Sequence, residues 1–448
     1  MSDGTAAAYS LERAWVDGAV RDDVLVEVAD GRFTAVTWAS GGGEDPRAAG
    51  DPDAGAPTRL RGLTVPGLAN CHSHAFHRAL RGRTQRERGT FWTWREQMYA
   101  VAGRLDPELY FRLARAAYRE MAAAGITSVG EFHYLHHRPD GGEYDDPNAM
   151  GHALVAAGAE AGVRVVLLDT CYLSSGFGAP PEGVQVRYSD GDAVRWAERV
   201  ADLEAPYAGA AIHSVRAVPR EQLATVVEAA AGRPLHVHLS EQVAENEACL
   251  AAHGLTPTEL LAEAGALGPR TSAVHATHLT DGDVSLLGGA AAYSCFCPTT
   301  ERDLADGIGP ARALLDAGAP LSLGSDQHAV IDLLEEARAM EMHERLVSLQ
   351  RGRFRPAELL GAATAHASLG WPDAGRLEAG ARADLVAVRL DSPRTAGSDP
   401  AQVVLAATAS DVDTVVVDGR VVVTGGRHRL GDVGALLRDA IQPLWEDA

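Results

Sequence analysis

Between residues 65 and 325 one pattern repeats: a short apolar run, followed in most cases by an amphipathic stretch of helical period. The strand-like runs fall at 65–71, 126–133, 163–171, 208–216, 233–239, 271–277, 290–296 and 320–325, and Pro107 to Ala124 and Arg220 to Ala231 read as helices between them. Apolar runs of this length are strands buried on both faces, and helical crossovers make neighbouring strands parallel. Eight such units predict an α/β fold, a closed (β/α)8 TIM-like barrel rather than an open sheet.

The two ends have a different texture. Residues 9 to 64 read as short strands, among them Val24-Leu-Val-Glu-Val28, interrupted by an exposed Gly/Ala/Asp/Pro loop from Gly41 to Pro57. The tail returns to β character from Gly375 to Val388 and from Val415 to Val423, where Asp418-Gly419 between two valine runs signals a hairpin. Strands need partners, and the other chain end supplies them. The 448 residues therefore divide into 1–64 and 373–448, joining in a small β-sandwich with a terminal helix, and a barrel over 65–372 inserted between.

Composition narrows the function. A hydrophobic content of 46% with 23% charged residues is that of a globular chain with a large core. The formal net charge of -21 argues against nucleic acid, whose phosphates it would repel. There is no lysine among the 40 basic residues, so no carbamylated lysine can bridge two metal ions. Cys71, Cys171, Cys249, Cys295 and Cys297 are scattered and odd in number, which fits a reducing compartment better than a disulfide framework. No basic leader and no apolar run long enough to span a bilayer is seen, so the expectation is a cytoplasmic protein with no membrane partner.

Metal-type side chains stand at the ends of the apolar runs. In His72-Ser-His74 the two imidazoles share one face of a strand, because residues i and i+2 point the same way. His238 follows in Leu235-His-Val-His238, with His236 as a core or supporting residue and Glu241 three residues on; His275 and Asp326 close the series. Three neutral imidazoles and one carboxylate suit Zn2+ or another borderline divalent ion, with room for water; Fe2+, Co2+ and Mn2+ fit the same donors.

This combination on such a barrel resembles the amidohydrolase superfamily, in particular its mononuclear deaminase branch, and Gly375-Arg-Leu-x-x-Gly-x-x-Ala-Asp384-Leu-Val in the tail resembles it too. Closer motifs, His72-Ser-His-Ala-Phe76, Phe91-Trp-Thr-Trp-Arg95-Glu, Glu131-Phe-His-Tyr134-Leu-His-His137, His213-Ser-Val-Arg216 and Val274-His-Ala-Thr-His278, are similar to the formimidoylglutamate deiminase family of histidine degradation. The resemblance implies one zinc per subunit held by His72, His74, His238 and Asp326. It implies Asp326 taking a proton from water, Glu241 carrying one to the leaving nitrogen, and His275 rather than His278 polarising the attacked centre. It also implies a homodimer and a small anionic substrate derived from an amino acid, N-formimino-L-glutamate, whose carboxylates Arg95 and Arg216 would hold with Tyr134 and His213 as hydrogen-bond partners.

Some positions depart from that pattern. His77 stands where glutamine is expected, Gln327 where serine is common, and Arg302-Asp303 where Ala-Asn is expected, next to the loop Cys297-Pro-Thr-Thr-Glu301 near the substrate. The Gly/Pro-rich loop from Leu173 to Glu182 is either a cover for the pocket or a static surface loop, and core packing is the expected role of Trp92 and Trp94. Three alternatives stay open: a related enzyme deaminating a purine, pterin or triazine ring, which stacking aromatics would favour and paired arginines disfavour; imidazolonepropionase; and an inactive metal-binding scaffold.

Overall fold

The computed structural model describes residues 7–38, 56–85, 91–203 and 207–446, with the side chains of Phe91 and Trp92 left out. The loop expected from Gly41 to Pro57 thus lies outside the described residues but for its last two. Among the described residues two eight-stranded sheets form.

The chain begins with β1 (Ala7–Val16), β2 (Ala19–Ala29), β3 (Arg32–Thr37) and β4 (Thr58–Pro66). After Gly67 it enters the barrel: β5 (Leu68–Ser73), β6 (Ile126–His133), β7 (Arg164–Cys171), β8 (Ala208–Ile212), β9 (Leu235–Leu239), β10 (Thr271–His275), β11 (Tyr293–Phe296) and β12 (Leu321–Leu323). Each strand pairs in parallel with the next. The ring closes between its first and last strands, where Ser73 bridges Asp326 and the Asp326 amide donates to the His72 carbonyl at 3.0 Å. Every apolar run therefore becomes a strand, generally shorter than the run itself. The helices Pro107–Ala123 and Arg220–Ala230 fall where the helical period placed them.

The tail supplies β13 (Leu385–Val388), β14 (Val412–Val417), β15 (Arg420–Thr424) and β16 (Arg427–His428), and ends in the helix Val433–Ile441. β13 pairs antiparallel with β4, so strands from both chain ends share one ladder with the barrel inserted between them. Only its last four residues make a strand of the 375–388 segment. The Asp418-Gly419 hairpin is present, both residues having positive φ (46° and 74°) as a primed two-residue turn requires. This sheet keeps an apolar cluster of its own around Leu11, Val26, Phe33 and Leu385. Arg164, at the start of β7, ties it to the barrel through buried bonds to Asp384 and Asp418.

The five cysteines are free and buried. Among the described residues no helix is long and apolar enough to cross a membrane.

Candidate active site at the barrel mouth

The C-terminal ends of parallel barrel strands are where loops can gather polar side chains without disturbing the core. Here that end encloses a cavity of about 70 Å³. A water needs roughly 10–15 Å³ by the same measure, so the space suits several waters or one slender ligand.

At its base, His72 from β5, His74 just past its end, His238 from β9 and Asp326 after β12 converge. Asp326 Oδ1 lies 3.5 Å from His72 Nε2 and 3.4 Å from His74 Nε2, and His238 Nε2 lies 3.1 Å from His72 Nε2. Donors bound to one tetrahedral zinc stand about 3.3 Å apart, given bonds of about 2.0–2.1 Å. The tautomers agree with that spacing. His74 Nδ1 donates to the Phe132 carbonyl and His238 Nδ1 to the His213 carbonyl, each at 2.9 Å, which leaves both Nε2 atoms as bare lone pairs turned inward. Burial, then the neighbouring imidazoles, holds His72, His74 and His238 well below the usual imidazole range, so all three are neutral. Neutral imidazoles with lone pairs turned toward one point are donors for a shared cation, and the residues fit a divalent metal.

Three carboxylates frame the fourth imidazole. His275 Nε2 is 3.8 Å from both Glu241 Oε1 and Asp326 Oδ2, and its Nδ1 is 3.5 Å from Glu301 Oε1. Burial opposes protonation of His275, yet Glu241, Glu301 and Asp326 outweigh it and lift the ring well above the ordinary imidazole range. Glu241, at the cavity wall, is pushed up to about 7, chiefly by burial and against the pull of His275. His275 and Asp326 both adopt left-handed backbone (φ 68° and 42°), as do Ser240 and His328 beside the site. That conformation costs of order 1–3 kcal/mol for a residue with a side chain, and closure of the barrel holds these strand ends in it. His278, by contrast, turns away to the Asp306 carbonyl at 2.8 Å, and His236 sits in the core against the Ser368 carbonyl at 3.3 Å.

Arg95, Tyr134, His213 and Arg216 line the same cavity, with the Tyr134 ring 5.3 Å from that of His74 and the His213 ring 5.0 Å from that of His238. Arg216 comes from the loop after β8 and forms no hydrogen bond or ion pair among the described residues, although Glu245 is near enough to act on its charge. Arg95 lies not directly after the first barrel strand but on the helix Phe91–Ala102, with its guanidinium 5.5 Å from the Tyr99 ring centre. Tyr134 shares a 3.0 Å hydrogen bond with His77, so that departure from the expected glutamine faces the cavity. Trp94 packs there too. Of the segment from Tyr172 to Glu182, only Tyr172 lines the cavity, so Leu173–Glu182 does not cover it.

Motif reading passed over several residues in this cavity. Tyr99, Tyr172 and Tyr188 complete its aromatic wall, and Glu245 enters from the first turn of the helix Val243–His253. Glu301 closes the Cys297–Glu301 loop expected near the substrate and accepts the Cys297 amide at 2.8 Å from the first turn of its own short helix, but its contact with His275 went unread. Its signal was position: five residues after the end of a barrel strand.

A parallel barrel with imidazoles and carboxylates over a closed cavity at its strand ends is the framework of a hydrolytic enzyme. The chain belongs to the amidohydrolase family, whose family model matches residues 63–422. It is 38% identical over 408 residues to formimidoylglutamate deiminase of Pseudomonas aeruginosa, a match covering 84% of this chain and 88% of that one. It is 30% identical over 429 residues to 8-oxoguanine deaminase of the same organism, covering 92% of each. The crystal structure of an amidohydrolase from Brucella melitensis shares the fold at a TM-score of 0.87 and 31% identity, covering 98% of this chain and 99% of that one. These relatives make the chain a deaminase-type hydrolase of C–N bonds.

Proposed function

We propose that this chain is a zinc-dependent deiminase that converts N-formimino-L-glutamate and water to N-formyl-L-glutamate and ammonia. One observation carries the reading: a histidine and aspartate centre and two arginines, Arg95 and Arg216, line the same small cavity. A carboxylate-bearing amidine would place its reacting carbon at the first and its carboxylates at the second. Guanidinium forks are the side chains best matched to carboxylates, and the open donors of Arg216 call for such a partner.

His72, His74, His238 and Asp326 would hold the ion, and zinc, when bound, supplies the Lewis acidity that makes water a nucleophile near neutral pH. Asp326 accepts a proton from that water. His275, cationic among its carboxylates, polarises the centre under attack. Glu241, titrating near neutrality, is suited to take a proton and hand it to the leaving nitrogen. The amidine carbon gains oxygen, its bond to the terminal nitrogen breaks, and ammonia departs. A homodimer in histidine degradation, in the cytoplasm, belongs to the same proposal; light scattering checks the dimer.

The ring-deaminating reading has one observation in its favour, the aromatic wall of Trp94, Tyr99, Tyr134, Tyr172 and Tyr188. Those rings pack edge to face on one another, however, as between Tyr134 and Tyr188 (76°) and between Tyr172 and Tyr188 (75°). Such a wall offers no pair of parallel faces to clasp a flat heterocycle. Ammonia release from N-formimino-L-glutamate, with metal content measured and N-formimino-L-aspartate and cytosine as comparisons, decides the matter. Turnover of a ring amine with none of the amidine overturns the proposal.

A further inference from the structure

Asp326 turns its two oxygens to different sets of donors. Oδ1 faces His72 and His74, whereas Oδ2 lies 3.8 Å from His275 Nε2. Beside that second pair stands the thiol of Cys297, and the three side chains offer ligand atoms that all lie within 4.8 Å of one another. They come from the ends of three successive strands, β10, β11 and β12, and all three are buried. Glu301 fixes two of them, accepting the Cys297 amide and lying against His275 Nδ1.

We propose that His275, Cys297 and Asp326 form a second metal site, which takes a thiophilic divalent cation beside the ion of the histidine centre and inhibits the enzyme when filled. This rests on the reading of His72, His74, His238 and Asp326 as the first ion's ligands. A thiolate, an imidazole and a carboxylate are the mixed soft and borderline set that favours Zn2+ or Cd2+ over Mg2+ or Ca2+. A bridging carboxylate is how adjacent ions about 3.5–4 Å apart are commonly held.

Carboxylates surround this second set of ligands. The ion-pair partners of Glu241, Glu301 and Asp326 are all imidazoles, and Asp306 keeps one buried oxygen without a hydrogen bond. On binding, the Cys297 thiol proton and the proton on His275 Nε2 both leave to solvent, so the divalent ion takes the place of two protons among these side chains. Inhibition follows because the ion occupies His275 Nε2 and Asp326 Oδ2, the atoms assigned to polarise the substrate and to accept the proton.

Cadmium chloride added to the enzyme with one resident ion per chain tests the site. The expected result is a second ion per chain by elemental analysis, an ultraviolet thiolate-to-cadmium charge-transfer band, and loss of activity in step with that band. Cys297→Ser should keep its activity and resident ion, lose the band, and need about tenfold more cadmium or greater for half inhibition, since the soft ligand is gone. Cys297→Ala serves where the serine variant folds poorly. A metal count that stays at one, no band in the parent enzyme, or a band and inhibition unchanged in Cys297→Ser each overturn the proposal. Band and metal count do not depend on the substrate, so a wrong substrate assignment fails separately.

Discussion

Gln327 donates from Nε2 to Asp303 Oδ2 at 2.8 Å, so two positions whose residues the sequence reading did not expect are bonded to each other. Gln85 adds contacts to both Asp303 oxygens at 3.2 Å. The carboxylate thereby joins the loops after β5, β11 and β12, and its neighbour Leu304 reaches the cavity wall. Asp303→Ala and Gln327→Ala should each raise KM a few-fold and leave kcat nearly unchanged. A double-mutant cycle should return a coupling of about 1 kcal/mol, the usual worth of a hydrogen bond to a carboxylate at partial exposure. Additive effects on KM would mean that the hydrogen bond between the two side chains does not act on the cavity.

Glu301 is expected to set the pH range of catalysis through His275. Its carboxylate favours the imidazolium, so Glu301→Gln should lower the pKa of His275, while the amide oxygen can still accept from the Cys297 backbone. If cationic His275 is the working form, the high-pH limb of kcat moves down by about one unit. A kcat profile superimposable on the parent's would reduce Glu301 to a helix cap.

How far this site was legible in the sequence depends on the element that carries each residue. His72, His74, His238 and His275 stand at or next to the ends of apolar runs, where period and position betray a side chain aimed at the barrel mouth. Asp326, three residues past β12, was legible for the same reason. Glu245, at a helix start, and Tyr188, at the end of a short 3-10 helix, come from connections whose paths no hydrophobic period records. The ends of the chain show the same division. The Asp418-Gly419 turn was readable because its backbone demands those residues, whereas Gly375–Asp384 has strand-like composition but runs as turns, leaving only Leu385–Val388 to pair.

Arg216 carries the substrate assignment and tests it directly. Losing a charge-assisted bond to a substrate carboxylate costs about 1.5–3 kcal/mol, or roughly 10- to 150-fold. Arg216→Gln should therefore raise KM for N-formimino-L-glutamate by that factor and alter kcat only slightly, because the contact is remote from the reacting carbon. Unchanged KM would remove Arg216 from the binding site.

His238→Ala and Asp326→Asn should abolish turnover and lower the metal content together. Chelation should do the same to the parent enzyme, with recovery on adding Zn2+. Near-normal activity in a variant verified to hold no metal would sink the assignment of the histidine centre.

Glu131, buried beneath the ligand pair, gives stability an unusual pH dependence. Its oxygens accept from Ser73 Oγ at 2.7 Å and from the Ala75 amide at 2.6 Å, bracketing His74. Burial outweighs both bonds and pushes its carboxyl up to about 8. The folded protein thus keeps a proton that the unfolded chain releases near pH 4.3. Below that pH the contribution of this group to stability is whole; as pH rises toward 8 it is progressively lost, because the folded state binds more protons throughout the window. Glu131→Gln has no such proton to lose, and its amide can still accept from Ala75 while donating to Ser73. Relative to the parent, the variant should gain stability between pH 5 and pH 8, measured by denaturant unfolding of metal-loaded protein. A parent whose stability rises relative to the variant over that window would show that Glu131 is ionised in the folded state.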